Sequence, residues 1–495
     1  MFKELSPIKI AFLALTLVGV FLLVYLPHYH YNYPLHIDEW HHIDQSIRFG
    51  NYGQYFELLK NEWETRFSGL EMGFHLFLFL LSYLADLVLF YQFLPAIWAV
   101  LAAAIVFYIT YQKSHKSFLT AWLAVVFFAS IKSNVNLTGL WFFTPLTFAI
   151  PFIYLYIYLF SEGLRQEKKK YILLSFLIML GLIPTHSISV LFSLPLLLAL
   201  GIFHFRYILR EDKFFSIFLI IPAVGLLFYQ GLIGGQWSRI FVGLFDRLKF
   251  PYGWGVLELQ NSIFEVYSLI GLILAAGGFL YLIIAKKSKD NLVFILWPLA
   301  VALLIIFYRI AGFSLLSPFQ RNLYYLALGL PILSAYGLMG INHLLKLLLA
   351  KTKFSEKNIK DIKNIGFGAI VAVALCFTFI NYTKTPDGLE VYRVINESDY
   401  QALKFLKNQS AGRVLATPYI STAALAVSGH EPYASIYFRS KYRFLVERFF
   451  SASSCEERLQ MIGEVVEPIY IVTPYQMDCG WPIVYSGSTL VYKVN

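Results

Sequence analysis

Stretches of about twenty residues almost without charge recur along this chain, and they limit what it can fold into. They lie near 8–26, 93–112, 140–160, 187–205, 214–232, 263–285, 291–308, 322–348 and 365–382, with shorter ones at 118–131 and 171–184. A helix needs about 20 apolar residues to cross a hydrocarbon core, and inside it every backbone group must be paired within the segment. The pattern therefore predicts an all-α polytopic membrane domain of about 11 transmembrane helices. Composition agrees: 58% of residues are hydrophobic and 14% charged, whereas about a quarter are charged in soluble domains.

The net charge of +10 comes from Lys and Arg in short clusters between apolar segments. There they act as topology signals, so nucleic acid is excluded as a partner. Segment 8–26 is long enough to span and no small-residue cleavage site follows it, so it reads as a retained helix. Segment 72–112 holds either two crossings or one preceded by an interfacial helix. One crossing with a cytoplasmic N-terminus gathers Lys113, Lys116, Arg165, Lys168, Lys169, Lys170, Arg206, Arg210 and Lys213 inside. Two would put the Lys168-Lys169-Lys170 run outside, against the positive-inside rule. Residues 72–90 are thus expected to be embedded without spanning, with Asp86 at the outer surface, spared the bilayer centre.

On this topology the loops 27–71, 233–262 and 309–321 and everything after about residue 382 face outward. We expect a transmembrane domain over 1–382, with its first outer loop at 27–71, and a small extracytoplasmic α/β domain over 383–495. In the latter, Ser398 to Leu406 reads as a helix and a further helical segment lies near 440–465. Arg413–Thr417, Pro468–Thr473 and Thr489–Val494 read as strands. Cys455 and Cys479 both fall in this domain, where a disulfide can persist, and pairing and two free thiols both remain open. Cys376 lies in the last apolar segment.

The first outer loop contains His36-Ile37-Asp38-Glu39-Trp40-His41-His42, two carboxylates and three imidazoles beside a bilayer. Ionisable groups concentrated there mark a candidate site. A carboxylate serves as general base for a hydroxyl when it is positioned on the proton, and a second can hold a metal or the acceptor. Neighbours in sequence point different ways, so Asp38 and Glu39 should not share a role. A solvated start of an amphipathic helix with Asp38 as its cap is the structural alternative. His36, His41 and His42 also suggest a metal site, although the spacing matches no strong zinc pattern.

His36-x-Asp38-Glu39 after the first membrane helix resembles the acidic motif of the C-type (GT-C) glycosyltransferases, polytopic enzymes that use polyprenyl-phosphate-linked sugars. Glu71-Met72-Gly73-Phe74-His75, Phe93-Leu94-Pro95-Ala96, Lys113-Ser114-His115-Lys116 and Ala121-Trp122-Leu123-Ala124 follow in an order similar to that family's. The resemblance implies an integral-membrane glycosyltransferase with Asp38, and with less assurance Glu39, as catalytic residues. His36 and His41 would lie at the substrate, and transfer would be inverting. It further implies a polyprenyl-phosphate-linked sugar as donor, a glycan, lipid or protein acceptor, and a place in the cytoplasmic or endoplasmic reticulum membrane. A divalent metal is possible but not required. Loop 132–139 lacks the second acidic motif of oligosaccharyltransferase subunits, and their Trp-Trp-Asp-Tyr-Gly motif is absent from the sequence, which favours a monosaccharide donor.

A phosphate-linked donor needs cations on its leaving group, and guanidinium supplies bidentate bonds. Arg321 in Pro318-Phe319-Gln320-Arg321-Asn322 is the first candidate and Arg309 the second, with interfacial snorkelling as their alternative role. His186, in an expected outer turn at Pro184–Ser187, is a further substrate-side candidate. Loop 233–262, aromatic and basic at helical spacing, reads as an interfacial helix that gates the lipid or merely anchors the chain. A transporter or lipid flippase would place charges at mid-membrane and show paired repeats, neither of which is evident. An envelope-assembly scaffold is the third class.

Overall fold

The computed structural model describes residues 5–50, 71–133, 139–211, 213–216, 249–250, 262–284, 291–351, 355–380, 382, 393–434, 443–462 and 469–494. The loop at 233–262 and the apolar stretch at 214–232 lie almost wholly outside these residues. Among the described residues, six helices are long and apolar enough to cross a membrane: Pro7–His28, Leu87–Lys113, Pro145–Arg165, Leu292–Ala311, Phe319–Leu349 and Glu356–Ile380. Shorter apolar helices span Met72–Ser82, Phe118–Ala129, Ile188–Phe203 and Leu269–Ile284.

Met72–Ser82 has 11 residues, a rise of about 16 Å at 1.5 Å per residue, roughly half of a hydrocarbon core. It is too short to cross. The chain turns after it, and the Asp86 carboxylate accepts the Leu89 N–H at 3.3 Å, capping a fresh start at Leu87. The stretch expected as one crossing at 187–205 is two helices, Ile188–Leu191 and Leu194–Phe203. Pro195 near the start of the second explains the restart, because proline lacks an N–H and suits a first turn.

The chain divides into two compact units. One comprises Met1–Val24, Pro95–Trp141 and Pro145–Pro386, and the other Tyr25–Leu94, Phe142–Thr144 and Asp387–Asn495.

The first unit is helical. Leu269–Ile284 lies so close to Phe319–Leu349 that a Cβ on Gly278 would strike the Leu333 carbonyl oxygen, and one on Gly337 that of Leu274. Small residues permit such contact where dispersion rather than water expulsion drives helix association. Ser334, in the same seam, donates to the Gly271 carbonyl at 2.9 Å. At one end of the unit the buried Lys113 ammonium pairs with Glu162, which also accepts from Arg165 at 2.6 Å. Lys169 pairs with Glu211 and Arg210 with Glu167. Basic clusters that the charge count assigns to one membrane side thus meet at one end of one unit.

The second unit joins the loop after the first apolar helix to the C-terminal stretch. Its five-stranded sheet runs Glu431–Pro432, Arg413–Ala416, Ile469–Thr473, Leu490–Val494 and Ile483–Tyr485, the first three parallel and the remaining pairings antiparallel. Ile469–Thr473 is buried along its whole length, which is why it reads as a continuous apolar run instead of an alternation. The helix expected to start at Ser398 spans Glu397–Leu406 and is capped by Asn396. Its side chain accepts the Asp399 N–H at 3.0 Å, while Asp399 accepts the Asn396 N–H at 3.1 Å. Cys455 and Cys479 are joined in a disulfide, with their Cα atoms 5.3 Å apart.

Helix Ile37–Gly50 packs on Met72–Ser82 and on Pro418–Ser428. Arg48 reaches Glu431 at 2.6 Å, the Tyr31 hydroxyl donates to the Ile395 carbonyl at 3.0 Å, and the Tyr33 hydroxyl donates to Glu397. Contacts spanning more than 360 residues of sequence therefore hold the acidic motif in place.

Candidate active site

Helix Ile37–Gly50 begins inside the motif, so His36 is its flanking residue and Asp38 and Glu39 lie in its first turn. The His36 carbonyl accepts from the Glu39 N–H at 3.0 Å. Glu39 folds back and accepts the His36 N–H at 2.9 Å, half of a reciprocal cap. Its other oxygen accepts the Phe143 N–H at 2.6 Å, and the Phe143 carbonyl accepts the Tyr91 hydroxyl. Glu39 is fully buried, and burial raises its pKa to about 7 against the opposing backbone hydrogen bonds. The capping role expected as the alternative for Asp38 thus falls to Glu39.

Asp38 takes the opposite direction. Its side chain stays 24% exposed, with a carboxylate oxygen 3.5 Å from His36 Nδ1. That nitrogen accepts the Asp38 N–H at 3.1 Å, which leaves the neutral ring its proton on Nε2. His36 is thereby oriented beside the carboxylate, with its ring centroid 5.1 Å from that of Phe142. Trp40, fully buried, donates from its indole to the Pro34 carbonyl at 3.0 Å and locks the approach to the helix. His41 is partly buried on the same helix.

Of the three loop imidazoles considered for a metal, His42 is the one that enters, among the described residues, a cluster that could hold one. His42 Nδ1 lies 3.1 Å from His75 Nε2 and 3.8 Å from Glu71 Oε2, and ligand atoms of all three residues lie within 4.8 Å of one another. Glu71 and His75 were missed as site residues. Their signal is the i, i+4 spacing at the start of Met72–Ser82, which puts both on one face.

The other expected residues belong to the helical unit. His186 ends the helix Lys169–His186 instead of occupying a turn. It is buried, with Nδ1 2.6 Å from Ser189 Oγ, which in turn is 3.1 Å from the Tyr325 hydroxyl. Arg321 is in the first turn of Phe319–Leu349, close enough for its charge to act on His186, Tyr324 and Tyr325. Asn322 beside it is fixed by Ser314 and Ser317. Arg309 is exposed and stacks over the Phe319 ring, 4.7 Å from its centroid. His186 and Arg321 come together, whereas Arg309 has the rim position of a snorkelling side chain.

The chain has the fold of the GT-C polytopic membrane glycosyltransferases. No protein-family model matches it, and no curated protein does. Among solved structures it is similar to ArnT from Cupriavidus metallidurans in the apo state, at a TM-score of 0.56 and 11% identity, covering 98% of each chain. It is also similar to the apo oligosaccharyltransferase of Archaeoglobus fulgidus, at a TM-score of 0.54 and 13% identity over 94% of this chain and 69% of that one. The same enzyme, AglB, in complex with an inhibitory peptide and a dolichol-phosphate, matches at a TM-score of 0.54, 13% identity and coverage of 94% and 70%. The protein is an integral membrane protein.

Proposed function

We propose that this protein is a glycosyltransferase that moves a monosaccharide from a polyprenyl-phosphate donor to an extracytoplasmic acceptor hydroxyl. The observation that carries the proposal is the division of labour within the acidic motif. Glu39 is consumed by backbone hydrogen bonds, whereas Asp38, one residue away, keeps a partly open carboxylate held at a fixed position.

Asp38 takes the acceptor's proton as the oxygen forms its bond to the anomeric carbon. The bond from that carbon to the phosphate oxygen breaks, and the phosphate leaves with the electron pair. One direct displacement inverts the anomeric configuration. The growing negative charge on the phosphate calls for a guanidinium, and Arg321 is our candidate for it. The same proposal includes about 11 crossings, a cytoplasmic N-terminus and an extracytoplasmic C-terminal region.

The experiment supplies purified protein in lipid with labelled polyprenyl-phosphate sugars and follows donor consumption. One donor consumed at a rate abolished by Asp38→Asn supports the proposal, and an inert protein across the panel rejects it. Orientation is tested separately. A cysteine at Ser114 should resist a membrane-impermeant thiol reagent in intact cells while one at Ala311 reacts, and the opposite pattern inverts the topology.

A further inference from the structure

His42, Glu71 and His75 have no part in the transfer step, yet they bring two imidazoles and a carboxylate together from two helices. His42 and His75 are buried and Glu71 is half-buried at the rim. We propose that these three residues form a zinc-type divalent metal site that staples helix Ile37–Gly50 to helix Met72–Ser82.

The geometry supports a small tetrahedral cation. Zinc bonds of about 2.0–2.1 Å put neighbouring ligand atoms roughly 3.3 Å apart. The observed separations of 3.1 Å for His42 Nδ1 to His75 Nε2 and 3.8 Å for His42 Nδ1 to Glu71 Oε2 bracket that value. The donor set selects further. Two imidazoles and one carboxylate suit zinc and its transition-metal neighbours, while calcium and magnesium call for oxygen alone.

Placement gives the site its consequence. His42 stands one helical turn after Asp38, so a metal there anchors the helix that carries the candidate base. Glu71 and His75 flank the start of the short helix, so the same ion fixes how that helix packs on its neighbour. The site is a positioning device and does not depend on the transfer reaction being correct.

The test uses the full chain, stripped with a chelator and returned to Zn²⁺ alone, and it reads metal content and melting temperature instead of activity. About one tightly held zinc per chain and a raised melting temperature are expected. Zinc-edge absorption should show two imidazole nitrogens at about 2.0–2.1 Å. Glu71→Gln and His75→Gln should each weaken zinc binding by more than about 100-fold, the upper end for losing even an outer partner. His30→Asn, at an exposed histidine outside the cluster, should change nothing. The proposal is overturned if zinc neither binds stoichiometrically nor raises the melting temperature, if the Glu71/His75 double variant retains it, or if the absorption spectrum lacks imidazole. The spectrum is taken on the unmodified protein, so a misfolded variant cannot shield the idea.

Discussion

Glu162 and Glu39 are both buried carboxylates in a chain that largely avoids charge, and their surroundings differ in kind. Around Glu162 stand Lys113 and Arg165, so a negative charge meets positive ones at the end of the helical unit. Around Glu39 stand backbone N–H groups from His36 and Phe143, and at the same helix start lie Asp38 and several imidazoles. The first arrangement is electrically closed and makes a joint between helices. In the second, backbone hydrogen bonds hold Glu39 while Asp38 beside it stays 24% exposed, the setting of a carboxylate kept for chemistry.

If that contrast is right, Asp38→Asn should have the largest effect. Turnover should fall by roughly 10² to 10⁴, the usual contribution of a positioned general base, with folding and donor binding retained. Transfer above about a tenth of the original rate removes Asp38 from that role. Lys113→Met probes the opposite region. Glu162 keeps Arg165, so stability should fall, but by less than the about 3–5 kcal/mol of a buried pair broken outright. Turnover per folded molecule should not change, and a selective loss of turnover would erase the distinction between the regions.

Arg321→Ala should reduce turnover by about 10² to 10³ and more than it reduces donor affinity, because the contact strengthens as charge leaves with the phosphate. Arg321→Lys should recover part, since an ammonium cannot reproduce the guanidinium fork. Equal losses in affinity and turnover would assign Arg321 to ground-state binding alone.

Glu39→Gln should affect turnover less than either Asp38→Asn or Arg321→Ala and should have a measurable effect on stability. Burial raises Glu39 from 4.5 to about 7, so between those values the folded state holds a proton that the unfolded state has lost. Its stabilising contribution is complete below 4.5 and lost as pH rises through 7, by at most about 3 kcal/mol. The variant's melting temperature should therefore depend less on pH across that window. It should also lie lower at pH 5, because an amide cannot accept both N–H groups, at about 1–3 kcal/mol for one left unmade. Parallel pH curves for the two proteins would show that Glu39 does not titrate there.

Much of this was legible along the chain. Apolar length marks most of the long helices, and the C-terminal strands Arg413–Ala416, Ile469–Thr473 and Leu490–Val494 stand where their patterning predicts. The segment expected at 72–90 divides instead into the short helix Met72–Ser82 and the start of the spanning-length helix Leu87–Lys113. The break within 187–205 was written in Pro195 but hidden by continuous hydropathy, which measures burial and ignores a missing N–H. The candidate site was legible only in part. His36, Asp38 and Glu39 stood out as neighbours, whereas Glu71 and His75 carry no local sign of pointing at His42.

The sequence by itself determined that this is a membrane protein, approximately where its helices run, and that two carboxylates and three imidazoles cluster in the loop after the first apolar segment. Those properties follow from the transfer free energy of short segments, which add along the chain. Only the tertiary structure decided which of two adjacent carboxylates is consumed by packing and which histidines converge. It also decided that the first loop folds with residues more than 360 positions away. Such outcomes depend on hydrogen bonds between groups far apart in sequence, such as Phe143 N–H to the Glu39 carboxylate, whose geometry no local pattern encodes.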